Sequence, residues 1–170
     1  MTKIINLFGG PGAGKSTTAA GLFYRMKKSG MSVELISEYA KDLVWSESLK
    51  VLEDQVYVAA KQNRKQHRLL GKVEWIITDS PIVLSAYYAK YCSQNKEMVR
   101  NLAYDLFNSY ENINIFIQRT KPFVSTGRLC SEGGALKTDK ELKEMLRGIE
   151  GIELEDNEHI INSIMEALKC

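Results

Sequence analysis

The sequence predicts an α/β fold: one domain, built as a three-layer sandwich around a mostly parallel five-stranded sheet. Three observations carry that expectation. Short apolar runs alternate with longer stretches of helical composition, and strand–helix alternation with right-handed crossovers leaves few topologies other than a parallel sheet. The opening run, Lys3–Phe8, is rich in Ile and Leu and stops at glycines, which suits a strand buried on both faces. The length, 170 residues, fits one domain and falls short of two, and no repeat or linker interrupts it.

The remaining elements follow in order. A helix over Lys15–Lys28 is rich in Ala, Leu, Met and Lys, with Gly30 as its stop. A second strand reads from Ser32 to Ser37, a short helix from Tyr39 to Trp45, and a long helix from Leu49 to Leu70, closed by Gly71. The third strand, Glu74–Thr78, ends in Asp79-Ser80-Pro81 and precedes two helical stretches near Ile82–Tyr91 and Lys96–Tyr110. Ile113–Ile117 is the fourth strand. Lys121–Ala135 holds Pro122, Gly127, Gly133 and Gly134 without periodicity and reads as a mobile loop. Thr138 then caps a helix running to Arg147, Ile152–Leu154 is a short fifth strand, and Glu158–Lys169 is a terminal helix.

Composition excludes several classes of function. A net charge of +2 is too mild to declare a dedicated nucleic-acid binder. No run approaches the roughly 18 apolar residues of a membrane span, and MTKIINLFGG breaks off too early for a signal peptide. Cys92, Cys130 and Cys170 are an odd, scattered three without C-x-x-C spacing, so reduced thiols in a cytoplasmic protein are expected. Two histidines, His67 and His159, and no metal-ligand spacing argue against a zinc enzyme.

The strongest signal is Gly9-Gly10-Pro11-Gly12-Ala13-Gly14-Lys15-Ser16-Thr17, which matches G-x-x-x-x-G-K-[ST] between a buried strand and a helix. Small residues let consecutive backbone N–H groups turn inward around phosphate oxygens, and the helix N-terminus adds partial positive charge. Gly10, Gly12, Ala13, Gly14, Lys15, Ser16 and Thr17 are therefore the candidate nucleotide-binding residues. Lys15 is expected to reach the β- and γ-phosphates of ATP, and the Ser16 hydroxyl to ligate Mg²⁺. A ligand-free glycine turn is the alternative.

With GGPGAGKST after the first strand, SEYA after the second and TDSP after the third, the chain resembles the P-loop NTPases. Within them it is similar to the nucleoside and nucleotide kinase branch: nicotinamide riboside kinases, deoxynucleoside kinases and the small AAA-domain kinases of bacteriophage genomes. The resemblance implies a P-loop kinase-like fold and an ATP-dependent phosphotransferase of the cytoplasm, in a bacterium or a phage-infected host. It assigns Glu38 as acceptor of the acceptor hydroxyl's proton, with a capping acid for the Tyr39 helix as the alternative and Asp42 as a competing carboxylate. Asp79, at the carboxyl edge of the sheet, reads as a Mg²⁺ ligand beside Ser16, or as a helix cap. Arg119 and Arg128, with Lys121 between them, look like the lid of small kinases near 119–135, although solvated charge stays open. The catalytic set is thus Lys15, Glu38, Asp79, Arg119 and Arg128.

Rival families fit less well. Asn95-Lys96-Glu97-Met98 lacks the Asp of a GTPase base reader, and Ser80 stands where a hydrolytic ATPase usually has Glu. Kinases should exclude water as acceptor, so this absence favours transfer.

For the acceptor, the long helix supplies Gln55 and Gln62, seven apart, which could pair with a base edge or simply be solvated. Lys61, Arg64, Lys65, Arg68 and Lys72 run without an acid, leaving DNA open as a partner through the stretch 61–72. Trp45, Tyr57, Tyr87 and Tyr88 read as base-stacking rings or as core. Thymidylate-type kinases place Arg directly after the third-strand Asp, and here Ser80 stands there, which favours a hydroxyl acceptor over a plain monophosphate. The expected function is transfer of the γ-phosphoryl of ATP to a nucleoside- or nucleotide-type hydroxyl. The alternatives are a phage kinase acting on 5-hydroxymethyluracil in DNA, or a nucleotide-binding switch or assembly ATPase. Self-association is left open.

Overall fold

The computed structural model describes residues 1–92, 94–126 and 130–169. Five strands, β1 (Lys3–Phe8), β2 (Val33–Ile36), β3 (Trp75–Thr78), β4 (Glu111–Gln118) and β5 (Ile152–Glu155), form one sheet in the order β2-β3-β1-β4-β5. Every pairing is parallel, with Lys3 opposite both Trp75 and Glu111, so the expected "mostly parallel" sheet is wholly parallel. The helices are α1 (Lys15–Lys28), α2 (Tyr39–Trp45), α3 (Gln55–His67), α4 (Leu84–Tyr88), α5 (Lys96–Asn108), α6 (Glu132–Met145) and α7 (Ile160–Ala167).

The side-chain alternation of β1 builds both outer layers. Ile5 and Leu7 face a core made with Leu22 and Met26 of α1 and Ile160 and Ile164 of α7. Ile4 and Phe8 face the other way, Phe8 against Ile82, Phe107 and Leu142. Each fully buried aliphatic contributes about 1.5–3 kcal/mol relative to exposure, which explains why the apolar run at the amino end lies at the centre of the sheet.

Several boundaries differ from expectation. The long helix Leu49–Leu70 is interrupted: Leu49–Glu53 is a 3₁₀ segment, and α3 starts afresh because the Asp54 carboxylate accepts the Tyr57 N–H (3.1 Å). Ile82–Tyr91 is a short α4 followed by a 3₁₀ turn over Ala89–Tyr91. The helix assigned to Thr138–Arg147 begins already at Glu132. Ser131 caps it through the Gly134 N–H (3.3 Å), and Thr138 lies inside it with its hydroxyl on the Gly134 carbonyl. Thus the loop expected over Lys121–Ala135 is helical at its end. Gly133 and Gly134 do not break the helix because Ala135, fully buried, packs next to them. The terminal helix is trimmed to Ile160–Ala167, and β4 extends outward to Glu111 and Gln118. Among the described residues, no helix is long and apolar enough to cross a membrane.

Candidate active site

In the chain order of this sheet, β1 to β2 runs one way and β3 to β4 the other, so β1 and its neighbours flank a switch point. The segments leaving the carboxyl ends of the strands all carry polar side chains of interest: Gly9–Thr17 after β1, Glu38 after β2, Asp79 after β3, Arg119 after β4 and Asp156 after β5.

The loop after β1 has left-handed backbone at Gly12 (φ 80°) and Gly14 (φ 94°), conformations that side chains rarely adopt. Gly14 is the N-cap of α1 and has no side chain to satisfy the helix's first N–H groups, which leaves them for an anion. Space adds a second reason for glycine, since a Cβ there would meet the buried carboxyl of Asp156 at 2.6 Å. The Lys15 ammonium donates to the carbonyls of Gly9 (2.7 Å) and Gly10 (3.0 Å). Burial pulls its pKa below the ordinary lysine value, while the charges of Glu38, Asp79 and Asp139 pull it back up.

The Ser16 hydroxyl donates to Oδ2 of Asp79 (2.6 Å), so the two expected metal ligands are brought together. Among the described residues Oδ1 of Asp79 is buried without a partner, as an oxygen awaiting a cation would be. Ser16 and Asp79, both hard oxygen donors, fit Mg²⁺. Glu38, just past β2, occupies the N-cap position of α2, but its side chain makes no capping hydrogen bond there. Burial raises its pKa above the ordinary carboxylate value, and Lys15 is the cation opposing that rise. Tyr88, whose ring packs against Tyr87 and Tyr91, lies within electrostatic reach of Glu38. Burial drives its hydroxyl pKa well above that of free tyrosine, and Glu38 adds to the effect.

Arg119 is not solvated surface charge. Its Nε and Nη2 both donate to Oδ2 of Asp139 (3.0 and 2.9 Å), and Nη2 also reaches the Pro11 carbonyl (2.7 Å). Asp139 Oδ1 in turn accepts the Gly10 N–H (2.6 Å), so this amide of the expected phosphate cradle is taken by the protein itself. No pattern in the sequence marks Asp139, which lies on α6. Lys121 pairs instead with Asp156 (3.1 Å). Arg128 lies outside the described residues.

Gln55 and Gln62 are not solvated; they are 5% and 4% exposed. Gln62 accepts the Tyr39 N–H (3.1 Å) and donates to the Thr78 hydroxyl (3.4 Å), so it ties the α2 N-terminus beside Glu38 to the strand end beside Asp79. It is therefore no free base reader. Of the four aromatics, Tyr87 is core, Tyr88 half-buried, and Trp45 and Tyr57 exposed. Asp42 pairs with Lys65 (3.3 Å), which supplies an acid to the basic stretch.

The family model described as an AAA domain matches residues 4–158. The chain belongs to the AAA domain family. Its fold is also like that of a solved structure described as NadR protein in complex with NR, which superposes with a TM-score of 0.76 at 16% identity. That match covers 99% of this chain and 52% of the other. NadR protein in complex with NAD and AMP-PNP gives 0.73 at 17% identity, covering 99% and 50%. This AAA-domain chain thus spans about half the length of the structures it matches. No curated protein matches it in sequence.

Proposed function

We propose that this AAA-domain protein is an ATP-dependent kinase that moves the γ-phosphoryl group of ATP to a hydroxyl of a nucleoside- or nucleotide-type acceptor. The observation that carries the proposal is the half-buried carboxylate of Glu38 within electrostatic reach of Lys15 and Asp79, with Ser80 rather than a water-activating Glu after Asp79. The backbone of Gly12–Thr17 cradles the phosphates, and Lys15 exchanges the Gly9 and Gly10 carbonyls for β- and γ-oxygens. Ser16 and Asp79 hold Mg²⁺, which neutralises charge on the phosphates. Glu38 orients the acceptor hydroxyl and takes its proton as the new O–P bond forms and the bond to the β-phosphate oxygen breaks, releasing ADP. Arg119 and Arg128 stabilise charge on the transferring group.

A second reading, a hydroxyl on a polynucleotide such as a hydroxymethylated base in DNA, is favoured by one surface. Tyr57 is 40% exposed with the Lys61 ammonium 5.2 Å from its ring centre. Arg64 and Arg68 follow on the same face, and no ion pair engages either among the described residues. Incubation with γ-labelled ATP and a panel of nucleosides, nucleotides and hydroxymethylated oligonucleotides tests all readings. Label is expected in a free nucleoside-type acceptor, with ATP loss accelerated by it. Label in inorganic phosphate alone, indifferent to every acceptor, would support a switch or assembly ATPase instead.

A further inference from the structure

We infer, resting on the phosphoryl-transfer reading above, that Asp139 is a positioning residue that aims Arg119 at the transferring phosphoryl group and locks α6 to the phosphate loop. A guanidinium has five N–H donors in a rigid plane. In Arg119, Nε gives its one to Asp139, and Nη2 gives its two to Asp139 and the Pro11 carbonyl. Only Nη1 is left, and it is buried without a partner among the described residues. The side chain is 11% exposed, so solvent does not satisfy that pair. An unpaired buried donor is costly and persists where something else will pair with it. The fork held by Asp139 and Pro11 fixes the plane of the guanidinium, and therefore the direction in which Nη1 points.

The anchor is itself held in place. Asp139 Oδ1 is bonded to the Gly10 N–H, and α6 sits so close that a Cβ on Gly10 would lie 2.2 Å from that oxygen and 3.1 Å from the Ala135 carbonyl. Two residues along α6, the Glu141 carboxylate takes the Tyr87 hydroxyl and the Lys90 ammonium, both at 2.7 Å, which fixes α6 on α4 as well. One helix thereby joins the phosphate loop, the arginine after β4 and the segment beyond Asp79. Asp139 touches no reacting atom; it acts through Arg119.

Titration calorimetry with MgADP and MgAMP-PNP tests this without any acceptor. The wild type should prefer AMP-PNP, because only it carries the group that Nη1 addresses. Asp139→Asn should cut that preference by about tenfold while leaving the ADP Kd within about twofold, in line with loss of one charge-assisted contact. Arg119→Ala should do the same, and the double variant should be no worse, as two residues acting through one contact are non-additive. Full additivity, or equal weakening of both nucleotides, would overturn the proposal. Should Asp139→Asn melt below the assay temperature, Arg119→Lys keeps the charge but not the fork. An undiminished AMP-PNP preference in Arg119→Lys would equally overturn it. Coupled loss of that preference in a protein that labels no acceptor would refute the kinase reading and leave this one standing.

Discussion

Glu38 and Lys15 each lose by burial what the other restores. Burial raises the Glu38 pKa above its ordinary 4.5 and lowers that of Lys15, while their mutual attraction opposes both shifts. A base must be ionised to take a proton, so a raised pKa moves the acidic limb of the kcat/KM profile upward, above 4.5. Glu38→Gln should abolish that limb and lower kcat by about 10²–10⁴-fold, the usual contribution of a positioned base, with nucleotide affinity retained. Stability follows the same sign. A carboxyl whose pKa is raised on folding contributes most below its unfolded value, and that contribution is lost as pH rises through the folded one. Thermal melts of Glu38→Gln should lack that decline above 4.5. In the sequence the end of the third strand marked Asp79, and the phosphate-loop motif made Lys15 and Ser16 legible. The Asp139 partner of Gly10 was not, being 129 positions away on a helix with no distinguishing pattern.

Helices show where local chemistry overrides periodicity. The apolar spacing from Leu49 to Leu70 reads as one helix, yet Asp54 satisfies the Tyr57 N–H and starts α3 there. Asp54→Ala should cost about 1 kcal/mol, the usual value of an N-cap, and lower the melting midpoint by about 2–4 °C in a chain of this size. Circular dichroism melts would check it, with the AMP-PNP Kd unchanged because the Asp54 carboxylate bonds within α3 and not to the phosphate loop. The opposite error occurs at α6. Its paired glycines look like a break, but Ser131 caps the first turn and Ala135 is packed against the loop at Gly10. Tertiary contact outweighs the cost of about 1 kcal/mol for each glycine.

At the scale of the molecule, a net charge of +2 hides an uneven surface. Lys61, Arg64 and Arg68 lie along the exposed side of α3, while Lys65 is neutralised by Asp42. Any affinity for single-stranded DNA should fall with salt at a slope of about −0.7 per phosphate neutralised. Replacing Arg64 and Arg68 by Gln should flatten the slope by about one to two units without altering the AMP-PNP Kd, measured by fluorescence anisotropy across a salt series. On the small-acceptor reading, phosphoryl transfer is indifferent to those two substitutions. Transfer to hydroxymethylated oligonucleotides alone, lost with the two arginines, would shift the acceptor to a polynucleotide.

By itself the sequence determined the α/β class, the five strands within a residue or two at most ends, and the phosphate loop, because each rests on local order. A buried strand needs a short apolar run, and an anion cradle needs small residues at set spacing ahead of a helix. Only the tertiary structure decided that Gln62 bridges two strand ends, that Gly10 donates to Asp139 and that Arg119 is buried in a fork. Those pairings join residues 16 to 129 positions apart. Helix packing on the sheet brings them within hydrogen-bond reach, and burial then obliges each polar group to find its partner, a condition that no spacing along the chain records.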